Sequence, residues 1–349
     1  MAALQADMKF KIKSKIKNYY VEFISSYKKK ISSLDKSYFF VIDKNVYNYF
    51  IKKKLKINNF ILINSTEKNK SYNYLEKILK LISQKKINKK TKIVAVGGGV
   101  IQDITGFVCS IYFRGLEWIY FPTTLLSQGD SCIGGKTSIN LGGHKNQLGN
   151  FYPPSNIYID LKFLEKLKKK EFLSGLGEIT HLLSVKSEKN FNLIKNYFEN
   201  KLPLKTIIIK SLLSKKYYIE KDEFDNNLRR LLNFGHTFGH AIESAKNYKI
   251  PHGICVAYGC LMAFWFSNKM KYLDYNNYRK YEKIIKMIVY KRINFNIQKF
   301  KNAILKDKKM HNNKINFILS KKCGEMFSKQ IIINNNFLNN VKKFNSLKW

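Results

Sequence analysis

The stretch IVAVGGGVIQD, residues 93–103, decides the fold. Ile93–Val96 reads as a buried strand, Gly97-Gly98-Gly99 as a turn, and a helical pattern follows from Val100. A strand, a glycine turn and a helix in this order present backbone N–H groups to a phosphate. The turn lacks the full G-x-G-x-x-G fingerprint, and a tight turn needs glycine in any case. Taken alone, the stretch leaves a nucleotide site and a purely structural turn equally open.

The same alternation extends through the first half of the chain. Short apolar runs at Phe39–Ile42, Phe60–Ile63 and Trp118–Phe121 are typical of strands, and helical patterns such as Tyr72–Ser83 separate them. Strands that alternate with helices predict a parallel sheet with covering helices. We therefore expect an α/β nucleotide-binding domain over residues 1–165.

The second half of the chain has a mostly helical pattern. The predicted helices are Lys170–Ser184, Leu204–Ile219, Leu228–Lys246, His252–Lys271 and Tyr278–Tyr290. Two short runs near the end, Ile315–Leu319 and Gln330–Ile333, resemble strands. We expect a mostly α-helical domain over residues 166–349, and a ligand site in a cleft between the two domains.

Composition excludes several classes of protein. Hydrophobic residues make up 45% of the 349, which is a globular composition. No apolar run reaches the ~18 residues of a membrane span, and the N-terminal residues lack the apolar core of a secretory signal. Five cysteines, an odd number without a C-x-x-C pair, predict free thiols in a reducing compartment. A cytoplasmic protein without a membrane partner is the expectation.

The formal net charge is +40, from 64 basic and 24 acidic residues. The lysines are spread along the whole chain, so we interpret most of them as a solvated surface and expect no nucleic-acid partner. A part of this charge would steer an anionic substrate toward its site.

The strongest local signal is GHTFGH, residues 235–240. On a helix, His236 and His240 share one face, a spacing that suits two metal ligands or one ligand beside an acid/base group. His252 begins the next predicted helix and can return beside His236. Glu178 lies in an apolar helical stretch, where a metal would compensate its charge. Two histidines and one glutamate with an open position form a known catalytic zinc set.

The segment between residues 114 and 146 is dense in groups that bind anions. Glycine pairs expose backbone donors, and lysines supply positive charge for phosphate or carboxylate. A Walker-type NTPase is rejected, because Asp130 stands where G-x-x-x-x-G-K-[ST] demands its first glycine. Arg229 and Asn233 precede His236 by seven and three residues, near the same predicted face, and Lys215 on the preceding helix could add a positive group.

In this order and spacing, the segments resemble the 3-dehydroquinate synthase family of sugar-phosphate cyclases. The resemblance runs from about Asp43 to about Leu319. The matching strings are GGGVIQDITGF, RGLEWIYFPTTLLSQGDSCIGGKTSIN, KNQLGNFYPP, SGLGEI, LRRLLNFGHTFGHAIE, HG and KDKK. It implies a dehydroquinate synthase-like fold, NAD, one zinc ion for which cobalt often substitutes, a homodimer, and DAHP, a phosphorylated seven-carbon acid, as substrate. The implied product is 3-dehydroquinate, an intermediate of the shikimate pathway of aromatic amino acid biosynthesis.

The resemblance also implies roles for individual residues. The metal ligands are Glu178, His236 and His252. The residues in segments that hold NAD are Asp43, Glu67, Lys70, Gly98, Gly99, Asp103, Thr123, Thr124 and Lys145. The catalytic positions that contact substrate are Asp130, Lys136, Lys215, Arg229, Asn233 and His240. Further substrate contacts are Asn146, His181, Lys308 or Lys309, and Arg114, which reaches across the dimer.

Three positions depart from the family pattern. His181 stands where the family has a lysine that contacts substrate, three residues after the metal-binding glutamate. Ile254 replaces a glutamate in the family's His-Gly-Glu-Ala-Val, so a carboxylate beside a metal ligand is lost. Gln102 replaces a glycine beside the cofactor aspartate Asp103.

These departures leave alternatives to a 3-dehydroquinate synthase. One is a related cyclase for another phosphorylated ketose or keto-acid. A second is a metal-dependent alcohol dehydrogenase, which the anion-binding segment disfavours because a simple alcohol needs no anion clamp. A third is a non-catalytic binding protein, which the complete metal set disfavours.

Overall fold

The computed structural model describes residues 8–142, 144–306 and 314–349. The chain divides into two compact units, residues 1–168 and 169–349. Among the helices in the described ranges, none combines the length and the apolar character that crossing a membrane requires.

The first unit is built on a sheet whose connections carry helices. Its helices are α1 (Tyr27–Ser32), α2 (Lys44–Val46), α3 (Tyr72–Ser83) and α4 (Gly99–Ile111). Its strands are β1 (Lys9–Ile12), β2 (Tyr19–Phe23), β3 (Phe39–Asp43), β4 (Phe60–Ile63), β5 (Ile93–Gly97), β6 (Trp118–Pro122), β7 (Lys136–Leu141), β8 (His144–Phe151) and β9 (Asn156–Ile159). The four strands that the sequence predicts are confirmed as β3 to β6.

The sheet has the strand order β1-β2-β9-β6-β5-β3-β4. Its pairs are parallel except for the antiparallel pair of β1 and β2 at one edge. Every residue of β3, β5 and β6 is buried, as expected for strands covered on both faces. The predicted α/β class of this half is confirmed.

The order in which successive strands join the sheet reverses beside β3. β4 pairs with one side of β3, and β5, the next strand along the chain, pairs with the other side. In open α/β sheets, ligands bind outside the carboxyl ends of the strands at such a reversal. Asp43 ends β3 and Gly97 ends β5, so the glycine turn of residues 97–99 lies at this point.

The segment that the sequence marks as anion-binding contains an antiparallel hairpin, β7 with β8. Periodicity did not predict it, because no residue of β8 is fully buried and the strand has no apolar alternation. The hairpin places Lys136 at the start of β7 and both Lys145 and Asn146 near the start of β8.

The second unit is mostly helical, as predicted. Its helices are α5 (Lys169–Lys186), α6 (Glu188–Phe198), α7 (Leu204–Lys221), α8 (His236–Ala245), α9 (His252–Lys269), α10 (Tyr275–Lys286), α11 (Ile297–Leu305) and α12 (Asn335–Ser346). The two predicted strand runs are confirmed as an antiparallel hairpin, β10 (Lys314–Lys322) and β11 (Glu325–Ile332).

The predicted single helix Leu228–Lys246 is wrong. A 3-10 helix covers Leu228–Asn233, and α8 begins only at His236. Gly235 interrupts the helix because its φ of 75° is left-handed, a conformation open to glycine. Arg229 and Asn233 therefore lie on a separate turn and do not continue the helix face of His236 and His240.

Glycines allow α5, α8 and α9 to pack with their backbones almost in contact. A Cβ on Gly177 of α5 would stand 2.0 Å from the carbonyl oxygen of Gly253 on α9. A Cβ on Gly259 of α9 would stand 2.1 Å from the carbonyl oxygen of Gly235, at the start of α8. The Gly253 N–H donates to the Ser174 hydroxyl of α5, 3.0 Å away. Glycine is required at these crossings because the neighbouring atoms are backbone and cannot rotate away.

We predict that Gly177→Ala destabilises the second unit by about 1–3 kcal/mol or more, because the new methyl group forces α5 and α9 apart. The measurement is the urea midpoint for loss of helical circular dichroism. Gly99→Ala is the control, since a Cβ there meets only the Ser131 hydroxyl at 3.9 Å. Equal midpoints for the two variants would contradict the proposed backbone contact.

Candidate functional site

One buried carboxylate in the second unit is surrounded by histidines. Glu178 and His181 lie on α5, His236 and His240 on the first turns of α8, and His252 at the start of α9. Glu178 Oε1 lies 3.1 Å from His252 Nε2, and Glu178 Oε2 lies 3.8 Å from His236 Nε2. The structure therefore brings together all three residues of the predicted metal set.

The charges of this cluster follow from burial. The Glu178 side chain is only 3% exposed; burial raises its pKa, but the histidines, His236 first, outweigh burial and hold it well below the ordinary value. Burial lowers the pKa of His236 well below its ordinary value, although the nearby Glu178 carboxylate opposes that fall. Burial also disfavours protonation of His252, but the adjacent carboxylates of Glu178 and Glu243 outweigh it and raise the pKa of His252 to about 10. We therefore assign the positive charge that balances Glu178 to His252.

The donor set fits a divalent metal ion. A carboxylate and neutral imidazoles are the ligands that zinc takes, and a cation bound there would displace the proton of His252. Zinc bonds of about 2.0–2.2 Å place tetrahedral donors about 3.4 Å apart, close to the separations of 3.1 and 3.8 Å around Glu178. Glu178 Oε1 has no well-aligned hydrogen-bond donor among the described residues, although its carboxylate is buried.

Sequence reasoning missed Glu243, which supports His252. Glu243 is buried on α8, and its Oε2 lies 3.0 Å from His252 Nδ1. A carboxylate that accepts from Nδ1–H fixes the ring and directs Nε2 toward Glu178. The sequence contained a signal, since Glu243 follows His236 by seven residues and so lies near its helix face. Ile254 replaces the glutamate of the family pattern His-Gly-Glu-Ala-Val. In this chain, Glu243 is the carboxylate that contacts His252 Nδ1.

The other predicted residues of the second unit differ in their surroundings. The His240 ring is exposed and stacks on His252 with centroids 5.3 Å apart. Arg229 is buried and its guanidinium donates to the Glu223 carbonyl, while Asn233 Nδ2 donates to the Arg230 carbonyl at 3.0 Å. Lys215 is buried on α7. Lys308 and Lys309 lie outside the described residues.

In the first unit, the predicted NAD residues gather at the carboxyl edge of the sheet. Gly98 and Gly99 begin α4, and Thr123 donates its N–H to the Gly97 carbonyl at 3.0 Å. A Cβ on Gly98 would stand 2.9 Å from the methyl group of Thr124, so a larger residue here would displace the Thr124 side chain. At this turn a phosphate could approach the backbone closely, at the N-terminus of α4 and at the point where the strand order reverses. These features suit the phosphate of a dinucleotide.

The acidic and basic residues at this edge already have protein partners. Asp43 caps α2 by accepting from Asn45 N at 2.7 Å, and burial raises its pKa. Lys70 pairs with Asp103 at 2.5 Å; burial raises the Asp103 pKa, and the lysine opposes that rise. Glu67 accepts from Asn140 Nδ2 at 2.8 Å. These contacts order the edge of the sheet in addition to any role toward a cofactor.

The predicted anion-binding residues of the first unit are mostly at the surface. Lys136 and Lys145 are exposed on the hairpin, and Asn146 has a left-handed φ of 55°. Arg114 is exposed at the end of a 3-10 turn, and Asp130 lies half-buried in a π turn, Ser127–Ser131. Gln102 ties α4 to this turn, because its Nε2 donates to the Ser131 carbonyl at 2.7 Å.

Comparison with known families covers both units. A family model described as 3-dehydroquinate synthase N-terminal matches residues 60–174, and one described as 3-dehydroquinate synthase C-terminal matches residues 175–310. The chain belongs to the 3-dehydroquinate synthase family. The membership that the motifs indicated is thereby confirmed.

Individual members of the 3-dehydroquinate synthase family match over most of their length. The enzyme of Dictyoglomus thermophilum is 38% identical over 299 residues, which cover 83% of this chain and 84% of that one. The enzyme of Helicobacter pylori is 39% identical over 267 residues, 75% of this chain and 77% of that one.

Solved structures similar to this 3-dehydroquinate synthase family member share its fold at lower identity. A 2-deoxy-scyllo-inosose synthase complexed with carbaglucose-6-phosphate, NAD+ and Co2+ has a TM-score of 0.83 at 20% identity, covering 96% of this chain and 98% of that one. The 2-epi-5-epi-valiolone synthase of Streptomyces hygroscopicus, with NAD+ and Zn2+ bound, has a TM-score of 0.80 at 20% identity, covering 94% and 96%. Glycerol dehydrogenase from Schizosaccharomyces pombe reaches a TM-score of only 0.53 at 16% identity, covering 90% and 85%.

We predict that Glu243→Gln weakens Zn2+ or Co2+ binding about 10–100-fold, the usual effect of changing a group that orients a ligand. The measurement is competition for the metal with a chromophoric chelator. Glu282→Gln is the matched control: Glu282 is also a buried helical glutamate, but it pairs with Arg279 and Lys286. Glu282→Gln should leave metal affinity unchanged, and an unchanged affinity in Glu243→Gln would remove Glu243 from this role.

Proposed function

We propose that this protein is a 3-dehydroquinate synthase, which converts DAHP into 3-dehydroquinate and phosphate. The observation that carries the proposal is the buried Glu178 carboxylate among histidines of three helices, in a chain of this family. The same chain has a glycine turn at the reversal of a parallel sheet, which suits a nucleotide. Together these features supply the metal and nucleotide chemistry that the reaction needs.

The proposed reaction has no net redox change. A substrate hydroxyl is oxidised to a ketone, which acidifies the neighbouring C–H, and phosphate leaves by elimination. The ketone is then reduced again, the ring opens, and an intramolecular aldol closure forms the carbocycle. When bound, NAD provides a reversible hydride acceptor and a divalent metal polarises the reacting oxygen.

The chain's own residues hold these groups and move protons. Glu178, His236 and His252 would hold the metal, with Glu243 orienting His252. His240 is exposed beside His252 and is suited to exchange a proton with substrate. The NAD-binding residues would be Asp43, Glu67, Lys70, Gly98, Gly99, Asp103, Thr123, Thr124 and Lys145.

Positive and polar groups would bind the anionic substrate. A phosphate and a carboxylate both require cationic donors, and positioning by such donors supplies much of the rate of such reactions. The residues assigned to this role are Lys136, Asn146, His181, Lys215, Arg229, Asn233 and Asp130, with Lys308 or Lys309. The proposal includes a homodimer in which Arg114 contacts substrate in the second copy, and a cytoplasmic location.

NAD and zinc or cobalt are part of the proposal. The inosose synthase was crystallised with NAD+ and Co2+, and the valiolone synthase with NAD+ and Zn2+. These two enzymes are similar to this chain in fold. The observation in this chain that supports a metal of the same kind is the donor set around Glu178.

A second candidate is a cyclase for a different phosphorylated ketose or keto-acid. His181 favours it, because an imidazole on α5 replaces the lysine through which the family contacts its substrate. A shorter, titratable side chain changes that contact.

The test is a reaction of the purified protein with DAHP, NAD and Zn2+ or Co2+, in which phosphate, 3-dehydroquinate and NADH absorbance are followed together. We expect equal amounts of phosphate and 3-dehydroquinate without accumulated NADH. His236→Ala should abolish both metal binding and turnover. Lys329→Ala, an exposed lysine on β11, should match the unchanged protein.

Two other outcomes separate the alternatives. NADH that accumulates without phosphate release would indicate a dehydrogenase. No phosphate release, in protein shown to bind NAD and metal, would indicate a cyclase for another sugar phosphate.

A further inference from the structure

His181 is a buried imidazole whose ring nitrogens make no hydrogen bond with any described residue. Its side chain is 2% exposed, and neither Nδ1 nor Nε2 has a hydrogen-bond partner in the part of the chain that the structure describes. Buried polar groups are nearly always satisfied, so an imidazole unsatisfied at both nitrogens requires an explanation. A ligand that accepts a nitrogen lone pair is one such explanation.

The His181 ring lies among the residues of the candidate metal site. His181 Nδ1 lies 3.6 Å from Glu178 Oε2, too far for a good hydrogen bond. The His181 ring lies edge to face with the His236 ring, with centroids 4.6 Å apart. One donor atom from each of Glu178, His181 and His236 lies within 4.8 Å of the other two. A separation of 3.6 Å is close to the ~3.4 Å expected for donors that share one zinc ion.

His252 has a different environment from His181. Both of its nitrogens face carboxylates, Nε2 at 3.1 Å from Glu178 Oε1 and Nδ1 at 3.0 Å from Glu243 Oε2. His252 is thus hydrogen-bonded through Nδ1 to Glu243, whereas neither ring nitrogen of His181 has a hydrogen-bond partner among the described residues. The family resemblance assigns His181 to substrate binding, yet His181 is the histidine whose two ring nitrogens both lack a hydrogen bond among the described residues.

We propose that His181 is a ligand of the metal, so that Glu178, His181, His236 and His252 form a site with four protein donors. This inference rests on the metal set of the proposed function and adds a residue to it. A protonated lysine amine, the family's group at this position, cannot coordinate a metal. The chain has therefore exchanged a cationic substrate contact for a metal donor.

The first test is metal affinity of the full-length metal-free protein for Zn2+ and Co2+. His181→Gln and His181→Lys each remove the imidazole, and circular dichroism verifies that the variants fold. We expect each to weaken binding by more than the roughly 10–100-fold typical of a group that only orients a ligand. Glu243→Gln is the matched comparison for such an orienting group.

The second test detects a bond between the side chain at position 181 and the metal by absorption spectroscopy. His181→Cys, loaded with Co2+, should show the near-ultraviolet thiolate-to-cobalt absorption that appears only when sulfur binds the metal. The unchanged protein is the control: its five cysteines are buried, and it should lack that absorption. A His181→Cys protein that binds one Co2+ without this absorption would overturn the inference.

These measurements separate the inference from the proposed function. If the unchanged protein binds neither Zn2+ nor Co2+, both fail. If it binds metal, and His181→Gln and His181→Lys bind it with the same affinity, the Glu178, His236 and His252 set stands and His181 is removed from it.

Discussion

The close approach of three helix backbones is the constraint on which the candidate metal site depends. Each of the three predicted metal ligands is adjacent to a glycine at a crossing: Gly177 precedes Glu178, Gly235 precedes His236, and Gly253 follows His252. A side chain at any of these glycines would overlap backbone atoms of a neighbouring helix. The distances of 3.1 and 3.8 Å around Glu178 therefore exist because glycines remove the Cβ atoms that would separate α5, α8 and α9.

Burial of the Glu178 charge then determines the electrostatics of the site. An isolated buried carboxylate is strongly unfavourable, and the surrounding histidines compensate it. Glu243 acts on His252, since its carboxylate contacts the second ring nitrogen and favours the protonated imidazole. The result is a cluster of imidazoles packed against two carboxylates, a donor set that suits a divalent cation.

In the first unit, the feature that suits a ligand is a set of backbone N–H donors, which the glycine turn of residues 97–99 can present to an anion. Its parallel strands end together at one edge, and the reversal beside β3 brings Asp43 next to the glycine turn. Internal pairs such as Lys70 with Asp103 hold the side chains at this edge in place. The exposed lysines of the β7–β8 hairpin add positive charge of the kind that an anionic substrate requires.

The sequence by itself determined the class of each half and most of the candidate site. Apolar runs predicted β3 to β6, and a helical period predicted α5, α7, α9 and α10, because these signals depend on neighbours along the chain. The four-residue spacing of His236 and His240, and the isolated Glu178, predicted a metal site for the same reason. The break before α8 was missed, since a helical period does not reveal that Gly235 must take a left-handed φ to pack against α9.

Only the tertiary structure decided which groups meet. Glu243 contacts His252 because α8 and α9 cross; its seven-residue spacing from His236 indicates a shared helix face but does not show that contact. The sequence assigned His181 to substrate from its alignment with a lysine, whereas the fold buries its ring beside Glu178 and His236. Contacts between residues distant in sequence arise from packing, and a pattern read along one chain carries no information on the partner that packing supplies.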